Sequence, residues 1–401
     1  MARHHRQIRH QPGLTGLRIV DIRERSVPVQ SAMRNAAFDF SEMTTSVVAV
    51  ITDQFTDGRP IVGYAFNSTG RYACGAAMRE RFIPRVLREP PDALLDASGL
   101  LDPAAVAACM LRREKPGGDA ERSVPVGTIE AAVWDAVAKA LDRPLWHVLA
   151  ERHAAPVRTA IPCYVGGGWY HPDDDLGRLD EEIRAHLDAG YTHVKIKVGG
   201  ATLAEDCRRI DAALAIVGDP QCLAVDANGA LPPDRAGAYA QRLAPYGLRW
   251  FEEPCAPQAF GDFAALGRDY APPLATGENL FCAADVENLF QFGGFRMDRD
   301  ILQVDPPQAF GIAAYAGIVR SLEERGGNRA RVFPHGGNMM SFHVVAGLGL
   351  GGCEAYPGVF GAFGGFADGM QVTDGMLDLP DAPGIGFEQQ PALFALMREL
   401  A

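Results

Sequence analysis

Three acidic residues close three short apolar runs at equal intervals: Asp226 in LAVDANG, Glu252 in RWFEEP and Glu278 in LATGENL. Successive members lie 26 residues apart, the length of one strand-plus-helix unit. A chain that repeats strand and helix in this rhythm builds a parallel sheet. Closing that sheet into a barrel gathers the C-terminal strand ends on one rim. Carboxylates gathered there repel one another, and a hard divalent cation such as Mg²⁺ holds them together. The spacing restricts the chain to a barrel-type α/β fold and marks the three residues as candidate metal ligands.

The alternation extends well beyond them. From Ala160 the runs TAIPCYV, THVKIKV, CLAVDA, LRWFEE, PLATGE, DILQVD, RVFPH and GGCEAY read as eight strands, with amphipathic segments such as LAEDCRRIDAALAIVG between them. Upstream, LRIVDIRERSVPV, TTSVVAVIT and RPIVGYAF predict a three-stranded antiparallel meander. TIEAAVWDAVAKALD predicts a helix, with Thr128 as its N-cap. The expected organisation is a flexible basic tail over 1–13, an α+β domain over 14–155 and a β/α barrel over 156–357. A C-terminal segment over 358–401, rich in Gly, Pro and Phe, is expected to be neither strand nor helix and to pack back on the first domain.

With 401 residues the chain exceeds a bare barrel of roughly 250 residues. A hydrophobic content of 47% supplies a second core. The net charge of −12 excludes a nucleic-acid footprint or an anionic membrane surface, so attraction for an anionic small molecule has to be local. No apolar run approaches the roughly 18 residues of a membrane span. MARHHRQIRHQP lacks the apolar core of a secretory signal. The eight cysteines are scattered without C-x-x-C pairing and read as reduced, which predicts a cytoplasmic protein.

Further reactive side chains sit at the other strand ends. In KIK, period two sends Lys195 and Lys197 to the same face, into the barrel mouth. Neighbouring cations lower each other's pKa, which makes a lysine a candidate base. Asp305 ends the sixth strand and His335 the seventh, so the carboxylate is expected to hold the imidazole N–H and prepare it for proton transfer. Glu354, on the eighth strand, is a candidate partner for substrate or for His335. Asn228 and Asn279 follow proposed ligands closely; they orient those carboxylates or close the turns.

KIK, Asp226, Glu252, Glu278, Asp305 and His335, in this order and spacing, resemble the enolase superfamily, mandelate racemase subgroup. The resemblance implies a modified TIM barrel under an N-terminal α+β capping domain, a Mg²⁺-stabilised enediolate intermediate and a homo-oligomer; the superfamily's use of a Lys or His base with Mg²⁺ is a known pattern. The stretches MRNAAFDFSEMTTSVVAV, GYAFNSTGRY, REKPGGDAERSVPVGTIEAAVWDAVAKA and GGFADG are similar to the tartrate dehydratases within it. That similarity implies that Asn35, Asn67, Lys115 and Tyr164 contact substrate, with Lys115 on a distal carboxylate and Lys195 on the near one. The implied reaction is dehydration of an acid sugar or hydroxy diacid, D-tartrate to oxaloacetate first, with racemisation of a 2-hydroxy acid as the alternative.

Overall fold

The computed structural model describes residues 16–31, 33–68 and 70–401; the tail expected over 1–13 lies outside the described residues. Strands β1 (Ile19–Pro28), β2 (Thr44–Thr56) and β3 (Arg59–Phe66) pair antiparallel in that order. β2 is buried over most of its length because both faces of this small sheet are covered. On β3, Gly63 faces the helix Asp119–Ala140, where a Cβ would overlap the Ala132 carbonyl. The alternate residues Tyr64 and Phe66 meet Phe394 and Phe387 of the C-terminal segment, at ring distances of 5.8 Å each. The covering helix starts at Asp119, well before Thr128, so Thr128 is no N-cap: its hydroxyl donates to the Val124 carbonyl at 2.7 Å, inside the helix. Pro125 does not break the helix, since the carbonyl it leaves unpaired belongs to the exposed first turn.

The barrel is built from β4 (Ala160–Gly167), β5 (Val194–Lys197), β6 (Leu223–Asp226), β7 (Phe251–Glu252), β8 (Leu274–Thr276) and β9 (Ile301–Leu302), parallel and adjacent in chain order. β10 (Cys353–Ala355) pairs with β4 from the other side. The seventh strand, expected over RVFPH, is reduced to a bridge between Leu302 and Val332. Val332 accepts from Gly351 N at 3.0 Å on the β10 side, and Pro334, the next residue facing that way, has no N–H to continue the ladder. Amphipathic helices follow the first six strands, and the apolar helix Met339–Leu348 follows the seventh position.

No barrel helix follows β10. Part of the segment expected to lack structure forms a hairpin, β11 (Val372–Thr373) and β12 (Met376–Asp378), which pairs antiparallel with the first residues of β4. It ends in the helix Pro391–Met397 against the small sheet. Cap and barrel meet closely at Gly127, whose missing Cβ leaves room for the Pro307 carbonyl. Nearby, the buried Glu130 carboxylate accepts from Ile312 N at 2.9 Å and Ala313 N at 3.0 Å, at the start of a barrel helix. Among the described residues no helix is long and apolar enough to cross a membrane.

Candidate active site

Strand register assembles the charged cluster. Lys197 on β5 lies opposite Asp226 on β6, and Asp226 lies opposite Glu252 on β7. Two carboxylates side by side on neighbouring strands are unfavourable unless cations share them. Glu278 joins from the turn after β8, where Gly277 takes φ +129°, a backbone conformation open to glycine. Asp226, Glu252 and Glu278 each offer an oxygen within 4.8 Å of the other two, and all three are buried.

The two lysines have different surroundings. Lys195 Nζ contacts Glu252 Oε1 at 2.5 Å, Glu354 Oε1 at 2.7 Å and Asp226 Oδ2 at 3.4 Å. Burial disfavours its cation, but Glu252 and Glu354 outweigh that and hold its pKa well above the ordinary range. The expected mutual depression of two lysines is therefore absent at Lys195, because carboxylates separate them. Lys197 Nζ contacts Asp226 Oδ2 at 2.6 Å and lies 5.2 Å from the Trp169 ring centre. Burial opposes the charge of Asp226, yet Lys197 and Lys195 hold it down to about 2. Glu252 goes the other way: burial pushes it up to about 7 despite Lys195.

Neutral donors complete the setting. Trp250 Nε1 and Gln303 Nε2 donate to Glu252 Oε2 at 2.9 and 2.7 Å. Asn228 donates to Asp226 through its backbone at 2.8 Å and its amide at 3.2 Å, while its φ of +47° also makes the turn. Asn279 donates chiefly to Glu253, at 2.7 Å, and more weakly to Glu278 at 3.4 Å. Asp305 Oδ2 lies 3.0 Å from His335 Nδ1, which makes that nitrogen the donor, and the other ring nitrogen is 4.0 Å from Glu278 Oε2. Burial lowers the basicity of His335, but Glu278 and the Asp305 hydrogen bond push it up to about 9. Glu354 Oε1 also accepts from Tyr356 at 2.8 Å.

Lys197, Glu278 and His335 line a small cavity of ≈ 30 Å³ beneath Asn35, Phe38 and Arg71 of the cap. Trp169, Phe40, Tyr356 and Phe360 form its aromatic wall. Three of the expected substrate contacts lie elsewhere. Asn67 is fully buried, its amide oxygen taken by Ser46 N at 2.5 Å and Thr45 Oγ1 at 3.0 Å. Tyr164 sits in the barrel interior against Trp250 and Phe333. Lys115 does not line the cavity; its carbonyl accepts from Arg122. Asn35 does line it, with its side-chain oxygen held by Ala37 N at 2.8 Å and Phe38 N at 2.7 Å. Sequence reasoning missed Arg71, Trp169, Gln303 and Gln308. The only available signals were an arginine in the GRY stretch and polar residues next to strand ends.

The donor set suits a hard divalent ion. Carboxylates outnumber the two lysines, and the nearest ion-pair partner of Glu278 is His335 at 4.0 Å. Three oxygen ligands would leave further positions for water or substrate oxygens.

The chain belongs to the enolase superfamily: residues 178–393 match the family described as Enolase C-terminal domain-like. It is 30% identical over 272 residues to a 3,6-anhydro-alpha-L-galactonate cycloisomerase of Streptomyces coelicolor, covering 67% of this chain and 70% of the relative. An arabinonate dehydratase of Saccharolobus solfataricus is 25% identical over 280 residues, again 67% of this chain and 70% of the relative. The fold is similar to that of the L-talarate/galactarate dehydratase from Salmonella typhimurium LT2, solved with Mg and L-lyxarohydroxamate: TM-score 0.76, 21% identity, 95% of this chain and 93% of that one.

Proposed function

We propose that this protein is a Mg²⁺-dependent dehydratase of an α,β-dihydroxy acid, with D-tartrate, giving oxaloacetate and water, as the first candidate. The reading rests on one observation: Lys197 and His335, from strand positions two and seven, line a single cavity beside the cluster of Asp226, Glu252 and Glu278. Those three residues would hold Mg²⁺. When bound, the ion neutralises the charge that builds on the substrate carboxylate as the α-proton leaves.

Lys195, fixed as a cation by its carboxylate neighbours, orients a substrate carboxylate oxygen. Lys197 takes the α-proton as the α-carbon and β-carbon begin to share a double bond. His335, protonated and braced by Asp305, gives its proton to the departing β-hydroxyl, which leaves as water. The enol then tautomerises to the keto acid. For the opposite α-configuration the two residues exchange roles. The reading includes a division into cap (14–155), barrel (156–357) and C-terminal segment (358–401).

Incubating the Mg²⁺-loaded protein with the tartrate stereoisomers and other acid sugars, and trapping keto acid with a hydrazine reagent, tests the reaction. Lys197→Ala and His335→Asn should each lower kcat by at least about 100-fold in protein that circular dichroism shows to be folded. Full activity in either variant overturns the role assignment. The same pair of proton-transfer groups also suits racemisation. Exchange of the α-hydrogen for deuterium without keto acid decides for that second reading.

A further inference from the structure

Among the described residues, Arg71 is the one basic side chain of the cavity that none of these steps uses. It lies in the loop after β3 and, with Phe38, Asn228 and Asn279, lines both the small cavity and a neighbouring outer space of ≈ 890 Å³. The group is held with unusual firmness for a loop arginine. Nε donates to Gln308 Oε1 at 3.0 Å, Nη2 donates to Asn279 Oδ1, and the guanidinium carbon stands 4.7 Å from the centre of the Phe281 ring. The backbone beneath it is fixed as well. The Arg71 carbonyl accepts from Asn67 Nδ2 at 2.9 Å, and Asn67 is itself clamped by Thr45 and Ser46 on β2.

All of these partners are neutral. Among the described residues no carboxylate forms an ion pair with Arg71, and Nη1 donates to no protein group. Glu278, Glu253 and Asp305 act on the guanidinium from beyond direct contact, and a half-buried guanidinium that is stacked, oriented and bonded to no carboxylate is suited to receive a planar anion from the cavity side. Each of the three is engaged elsewhere: Glu278 in the acidic cluster, Glu253 with Asn279 at 2.7 Å and Asp305 with His335 at 3.0 Å. Lys115, the residue expected from sequence to take a distal carboxylate, does not reach this space.

We infer that Arg71 receives the second carboxylate of the substrate, so that the site selects a short dicarboxylic acid with one carboxylate at the acidic cluster and the other at the guanidinium. This rests on the dehydratase reading above and names the residue that sets its substrate class. Gln308 and Asn279 act as positioning residues that hold the fork in place, and Asn67 acts through the backbone of the loop.

Two readouts test it on the full-length protein with Mg²⁺. The first is binding by thermal shift, using D-malate as a four-carbon diacid and 2-hydroxybutyrate as a four-carbon monoacid. Wild type should be stabilised more by malate, and Arg71→Gln should lose that difference, with Arg71→Lys retaining part of it. The second is turnover of tartrate against the matching monoacid, in which the far carboxylate is a hydroxymethyl group. Arg71→Gln should lose about 100-fold in kcat/KM for the diacid. The monoacid should stay within about threefold, since the lost contact is not made with it. Equal stabilisation of wild type by both acids, or equal losses on both substrates, overturns the assignment. Absence of keto acid from every wild-type reaction overturns the dehydratase reading alone, because the binding comparison still decides the role of Arg71.

Discussion

Two lysines two residues apart share one strand and one face, yet their neighbours give them different work. Lys195 touches three carboxylates, whereas Lys197 touches one and borders the cavity. Removing the Lys195 ammonium leaves Glu252 and Glu354 buried without their main counter-charge. Lys195→Ala should cost about 3–5 kcal/mol of unfolding free energy in metal-free protein. Excess Mg²⁺ should restore part of it, since an ion that binds the folded state stabilises that state. Urea midpoints of both proteins with and without Mg²⁺ check this; a Lys195→Ala variant as stable as wild type would show that the carboxylates find other partners. Identity and face of the pair were legible in KIK. Their difference was not, because Glu354 arrives from a strand more than 150 residues away in the chain.

At the scale of elements, the helix Met339–Leu348 is mostly apolar and buried throughout, and it carries one fully buried histidine. His343 Nδ1 accepts from Trp146 N at 3.0 Å, which fixes the tautomer, and Nε2 lies 3.0 Å from the Ile385 carbonyl. One side chain thus ties a helix of the barrel to the start of the helix Leu145–Arg152 and to the C-terminal segment. Burial lowers its pKa from 6.5 to about 3, with the Ile385 carbonyl pulling weakly the other way. Above the ordinary value both folded and unfolded chains carry it neutral. As pH falls below that, the unfolded chain takes up the proton first. Stability from this group therefore declines by roughly 1.4 kcal/mol per pH unit until the folded value is reached. Comparing urea midpoints across that acid range, His343→Gln should have lower stability near neutrality but a shallower acid slope than wild type. Parallel curves would refute the buried neutral imidazole. Nothing in the apolar pattern around His343 pointed to this, because a histidine inside a hydrophobic helix gives no sign of which backbone it will meet.

Over the whole molecule, the cavity wall is complete only while the cap supplies Asn35, Phe38, Phe40 and Arg71 above the barrel residues. One close approach is at Gly127, over the Pro307 carbonyl, next to the Asp305 and Gln308 that hold His335 and Arg71. Gly127→Val should cost about 1–3 kcal/mol through overpacking. It should also lower kcat, since the wedge displaces the brace behind His335. Thermal midpoints with parallel steady-state rates check this, and unchanged activity would mean that the cap tolerates lifting.

What the amino-acid order determined by itself is the repeating barrel and the residues at its strand ends. Those follow from local rules, since side-chain alternation and a 26-residue strand-plus-helix step place Asp226, Glu252 and Glu278 on one rim without reference to distant chain. The tertiary structure decided everything contributed from elsewhere. Asn67 is spent on holding a loop, Tyr164 on filling the barrel, and Arg71, Trp169 and Phe360 complete the cavity wall. The late hairpin β11–β12 finds its partner at the foot of β4, some 200 residues earlier. Each of these depends on contacts between segments far apart in the chain. No local pattern of polarity encodes which distant group a side chain will face once the cap closes over the barrel.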